Sequence, residues 1–142
     1  MSMNVDEKFK FLEHTADIKF KAFGNSLKEV FENSALALFN IFYDKKVEEK
    51  KAYKIKVNGS DFENLLYNFL EEFLILFDSK NFLPCRIKSI KFNEKKFKIT
   101  AVVLGDDISN YKANVHVKAI TYNGMFVKKQ KNNWVSQVLV DV

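Results

Sequence analysis

The chain has 142 residues, 47% hydrophobic and 15% aromatic, which is the size and apolar content of one domain spanning 1–142 rather than two. Its formal net charge of +5, from 23 basic and 18 acidic residues, is modest for a nucleic-acid binder, and because Arg86 is the sole arginine, base readout by planar guanidinium forks is disfavoured. The lone Cys85 excludes an internal disulfide, two histidines are too few for an ordinary zinc constellation, and neither a spanning apolar run nor a signal-like start is present, so a soluble, cytoplasmic protein is expected.

Phe9-Lys10-Phe11-Leu12 and Ile18-Lys19-Phe20-Lys21-Ala22-Phe23 alternate with period two around the polar group Glu13-His14-Thr15-Ala16-Asp17, predicting strands with a special junction. Ser26-Leu27-Lys28-Glu29 is a capping-box signature, and Leu27, Val30, Phe31, Ser34, Ala35, Leu38, Phe39 and Phe42 follow at helical spacing. Tyr53, Ile55 and Val57 alternate with polar residues up to Gly59, predicting another half-buried strand. Ser60-Asp61-Phe62-Glu63 then caps a second helix, whose apolar residues cover most of its circumference.

After Pro84 the pattern returns to strands: Ile87 to Phe92, a turn at Asn93-Glu94-Lys95, and Phe97 to Leu104. A polar loop from Asp106 to Lys112 leads to Val115–Tyr122, a turn at Asn123-Gly124, Met125–Val127, a basic turn, and Trp134–Val142. The expected fold class is α+β, two helices packed on antiparallel sheet, in the order strand, helix, strand, helix and then a β-meander.

Four glycines leave no phosphate loop and no nucleophile elbow. Carboxylates set against apolar strands are more informative, because burying one unpaired is costly. Asp17 directly precedes the strand at Ile18, and Asp141 is penultimate, sharing a strand face with Leu139 and lying next to Val142, whose terminal carboxylate is a third candidate oxygen. Brought together, such groups repel unless a cation neutralises them, and an all-oxygen set suits calcium, magnesium or manganese better than zinc. The plainer reading is a turn-capping Asp17 and a solvated Asp141; spacing alone favours it, since residues so far apart need the fold to meet.

His14 is a candidate ligand or second-layer donor, with a structural role as the plainer reading. Lys118 and His116, alternating on one apolar-rich strand, are candidates for an acidic partner or are ordinary solvent-facing residues. Asp106-Asp107 reads as a polar turn, and Cys85 as a buried thiol. Lys128-Lys129-Gln130-Lys131 before Trp134 has the ingredients of a stacking, backbone-tracking surface, with a solvated hairpin tip as the favoured alternative.

Taken together, Glu13-His14-Thr15-Ala16-Asp17-Ile18, Gly24-Asn25-Ser26-Leu27-Lys28-Glu29-Val30-Phe31, Ala35-Leu36-Ala37-Leu38-Phe39, Leu65-Leu66, Val117-Lys118-Ala119-Ile120-Thr121-Tyr122 and the ending Asp141-Val142 resemble the archease family across almost the whole chain. The resemblance implies a non-enzymatic α+β accessory protein for the GTP-dependent tRNA-splicing RNA ligase, promoting guanylation of the ligase histidine and repeated turnover. It also implies a divalent metal held by acidic residues that map onto Asp17 and Asp141. One departure from the family pattern is Asn123, where a histidine often follows the Thr-Tyr pair. The competing expectations are an RNA- or protein-binding module with no metal role, and a metal-dependent hydrolase on the same two aspartates, which lacks a clear general base.

Overall fold

The computed structural model describes residues 7–13, 16–113 and 117–142. Among them the elements run β1 (Phe9–Leu12), β2 (Ile18–Gly24), α1 (Leu27–Phe42), β3 (Lys51–Asn58), α2 (Phe62–Lys80), β4 (Phe82–Asn93), β5 (Lys98–Asp107), β6 (Ala119–Gln130) and β7 (Asn133–Asp141), with a short 3-10 turn at Ile108–Asn110. Every strand pair is antiparallel, and the strands divide into two sheets, ordered β1-β2-β7-β6 and β3-β5-β4. The α+β expectation holds. The meander is shared out, with the β4–β5 hairpin in the three-stranded sheet and the β6–β7 hairpin in the four-stranded one.

Each helix starts where a short polar side chain can meet an orphan backbone donor. Ser26 accepts from the Glu29 N–H at 3.1 Å, and Glu29 reaches back to the Asn25 N–H. The second cap falls one residue later than the sequence pattern suggested: Asp61, not Ser60, accepts from the Asn64 N–H at 2.7 Å, and Asn64 takes the reciprocal bond from the Ser60 N–H. An aspartate beside a serine is an equally good cap, and register with the apolar stripe decides between them.

The helices touch both sheets, α1 packing on β2 and β4, and α2 on β6, β3 and β4. Phe31 of α1 meets Phe92 of β4 edge-on at 4.9 Å, while Phe39 and Phe73 join the two helices at the same separation. Phe20, Phe31, Phe42, Phe69, Phe73 and Phe82 are fully buried, each supplying roughly 1.5–3 kcal/mol of burial free energy. This aromatic centre fixes the sheets on either side of the helices and so sets where strand ends meet.

Two local expectations are corrected. Asn123-Gly124 is not a hairpin turn: β6 runs through it, and Tyr122 to Met125 bulge out between the pairs Thr121–Leu139 and Phe126–Gln137. Gly124 takes φ +71, and its carbonyl receives the Gln137 side-chain amide at 2.8 Å, so a left-handed glycine serves a bulge here as it would a turn. The strand placed after Pro84 begins before it, at Phe82, because Pro84 sits at a register break opposite Gly105 where no ladder donor is needed. A Cβ at Gly105 would run into the Leu83 carbonyl, so this close approach requires glycine.

Candidate functional site

β7 is the strand that gathers the candidate residues. Val138, Leu139 and Val140 are all buried, and β7 pairs with β2 on one side and β6 on the other. Ile18 of β2 faces Val140; continued by one residue, that register sets Asp17 against Asp141. On the other side Ala119 faces Asp141, and the Lys118 N–H donates to the Asp141 carbonyl at 2.8 Å. The same register extended places Lys118 against Val142. Residues from three parts of the sequence thus meet at one end of the four-stranded sheet.

Asp141 lies on the face opposite the helices, alternating with Leu139, which is only 4% exposed. The Asp141 side chain therefore stands beside packed apolar surface. Asp17 and Asp141 are half-buried, Val142 packs partly against the core, and Lys118 is exposed. Among the described residues no ion pair joins either aspartate. His14 and His116 lie outside the described residues.

Two carboxylate residues opposite one another at a strand end, with no ion pair among the described residues, could hold a hard cation. Among the described residues no group of three or more His, Cys, Asp or Glu converges anywhere. Among the described residues, the carboxylates that the register brings to this end are those of Asp17 and Asp141. Such a set fits an ion that keeps solvent in its shell, as magnesium does, or one that tolerates variable oxygen coordination, as calcium does.

Asp17 also lines a cleft of about 590 Å³ between the β1–β2 end and the C-terminal end of α1, with Glu13, Asp44, Lys45 and Lys112 at its polar rim and Phe11 and Phe42 among its apolar walls. Phe11 is 43% exposed there. Sequence reasoning passed over Asp44, Lys45 and Lys112, which carry no periodic signal and are joined only by the fold.

Asp106, Asp107, Cys85 and Trp134 sit in structural settings. Asp106 is buried at 3% exposure; burial works to raise its pKa, and hydrogen bonds from the Asp107 N–H, the Tyr111 hydroxyl and the Asn110 amide outweigh it, holding the carboxyl below the usual range. Asp107 caps the 3-10 turn through Ser109 and pairs with Lys51 at 3.4 Å. Burial pushes the Cys85 thiol up to about 11, with the carboxylate of Glu49 adding to the effect, so it is a poor nucleophile near neutral pH. Trp134 is half-buried against the core, and Lys131, at φ 55, turns the β6–β7 hairpin.

Among the described residues no helix is long and apolar enough to cross a membrane. Residues 9–142 match the archease protein family (MTH1598/TM1083). The chain is 41% identical to an archease of Methanosarcina acetivorans over 141 residues, covering 96% of this chain and 97% of the relative. It is 38% identical to an archease of Pyrococcus abyssi, with 96% and 99% covered, and 32% identical to an archease-like protein of Drosophila melanogaster, with 95% and 90% covered. The solution structure of Methanobacterium thermoautotrophicum protein 1598 superposes with a TM-score of 0.80 at 31% identity, covering 94% of this chain and 98% of that one. A Thermotoga maritima archease, described as a possible chaperone, shares the fold with a TM-score of 0.65 at 22% identity, covering 94% and 96%.

Proposed function

Because this chain belongs to the archease family, we propose that it is an accessory protein which activates a GTP-dependent tRNA-splicing RNA ligase in the cytoplasm and joins no RNA itself. The observation that supports this reading best is the register that sets Asp17 across from Asp141, two residues the family resemblance picks out independently of any geometry. Among the described residues no ion pair occupies them, and one neighbouring backbone contact, from Lys118 to Asp141, holds the strand ends together.

On this reading Asp17 and Asp141 hold a divalent ion, calcium, magnesium or manganese. When bound, the ion supplies positive charge that offsets a triphosphate during guanylate transfer. The chain's own part is positional. β7 fixes Asp141 between two paired neighbours, the β1–β2 junction presents Asp17, and Lys118 stands exposed beside them, where its ammonium meets phosphate or an acidic ligase surface.

RNA ligation by a cognate ligase with GTP and a divalent metal, at substoichiometric ligase, tests the reading. Added protein should convert a ligase that stalls after one round into one that turns over. Unchanged ligase guanylation and turnover with the protein present would remove it.

A further inference from the structure

The helix-free face of the four-stranded sheet carries lysines that pair with no carboxylate among the described residues. Alternation places Lys10 of β1, Lys19 and Lys21 of β2, and Lys128 of β6 on this face, together with Phe23, Phe126, Val135 and Leu139. Lys10 stands directly opposite Lys21 in the ladder, a like-charge cross-strand pair that destabilises a sheet. Among the described residues neither they nor Lys19 and Lys128 form an ion pair with a carboxylate. Instead three of the four ammonium groups lie over aromatic rings: Lys10 lies 6.0 Å from the Phe23 ring, Lys21 lies 5.9 Å from Phe126, and Lys128 lies 4.5 Å from the same ring.

Beneath these lysines is an apolar floor outside the main core. Phe23 is 8%, Val135 2% and Leu139 4% exposed, although among the described residues no helix packs on this side. The result is a sheet surface that carries Asp17 and Asp141 at one end and, away from that end, is positively charged, with the half-exposed aromatic Phe126 on its edge strand β6. Among the described residues it offers no bare apolar patch of the kind that centres a protein–protein interface. It does offer clustered point charges beside a π-face, which is how single-stranded nucleic acid is held without sequence preference.

We infer that this face, built on Lys10, Lys19, Lys21, Lys128 and Phe126, binds the phosphate backbone of single-stranded RNA directly. This goes beyond ligase activation, in which RNA contact is left to the ligase, and it is tested without any ligase, so the two readings fail separately. The outward face of the three-stranded sheet provides an internal comparison. It carries four exposed lysines, Lys54, Lys56, Lys91 and Lys98, where on the first face Lys10 and Lys128 are exposed and Lys19 and Lys21 half-buried, but they lie around Thr100 and Val102 with no ammonium–aromatic contact among the described residues.

The experiment is anisotropy of a fluorescein-labelled oligouridylate of about 16 nucleotides against salt. Four phosphate contacts predict a slope of log K against log salt near about −3, from roughly −0.7 for each contact on a single strand. Replacing Lys10, Lys19, Lys21 and Lys128 by Gln should flatten that slope and weaken binding at least tenfold, while Phe126→Leu weakens it with the slope unchanged. Replacing Lys54, Lys56, Lys91 and Lys98 by Gln, the same change in net charge, should leave most of the affinity. The inference is overturned by absence of binding at low salt, by equal losses in the two quadruple variants, or by polyglutamate of matched charge competing as well as unlabelled RNA. The last outcome would assign the face to an acidic protein.

Discussion

The hydroxyls of Ser34 on α1 and Ser136 on β7 lie 2.7 Å apart in the fully buried layer between helix and sheet. Ser34 also bonds the Val30 carbonyl at 2.7 Å, and since a hydroxyl has one proton, Ser34 donates to Val30 while Ser136 donates to Ser34. This pair fastens the strand that carries Asp141 to the first helix. Ser136→Ala should cost about 1 kcal/mol, read by urea unfolding, because it removes a donor but leaves Ser34 satisfied. Ser136→Val, which adds bulk at a site with no exposure, should cost more.

Tyr111 links two loops. Its hydroxyl donates to Asp106 at 2.9 Å and accepts from the Glu48 N–H at 2.8 Å. Both Asp106 and Asp107 are held below the usual carboxylate range. A carboxyl whose folded pKa is depressed contributes stability above its unfolded value, and that stability disappears as pH falls through the folded value. Thermal stability should therefore drop as the pH is taken from about 5 downward. Tyr111→Phe should lower it by about 1–3 kcal/mol at neutral pH and shrink its acid dependence, seen by calorimetry across that range.

Cys85 should resist alkylation. With the thiol pushed up to about 11, little thiolate exists at pH 8, so iodoacetamide labelling of the native protein should be far slower than labelling in urea. Equal rates in both conditions would show the thiol to be freely ionised.

The facing carboxylates make a stability prediction distinct from activity. Asp141→Asn removes one of two like charges that the register brings together, so the metal-free variant should melt no lower than the parent protein. Calcium or manganese should raise the melting temperature of the parent and leave that of Asp141→Asn unchanged. An equal rise in both would place the ion elsewhere.

Much of the fold was legible because its signals are local. The apolar stripe from Leu27 to Phe42, the caps near Ser26 and Asp61 and the alternation of Ile18 to Phe23 each declare one element. The division into two sheets was not legible, since nothing in β4 or β6 alone says which neighbour it pairs with. Asn123-Gly124 misled for a related reason: a left-handed Gly124 is the same local signal in a turn and in a bulge, and only the continued pairing of Phe126 with Gln137 decides. The nomination of Asp17 and Asp141 came from their apolar neighbours and from the family resemblance; their adjacency needed the β2–β7 register. Lys10, Lys19 and Lys21 read as ordinary polar alternates until the ladder placed two of them face to face.

Guanylate transfer to the ligase histidine is the most direct test of the central claim. Radiolabelled GTP, a divalent metal and a cognate ligase would be incubated with the parent protein, Asp17→Asn or Asp141→Asn, each first shown to be folded by circular dichroism. The account predicts stimulated guanylation with the parent protein and stimulation reduced by tenfold or more, about 1.4 kcal/mol or beyond, in both variants. Full stimulation by both variants would contradict it.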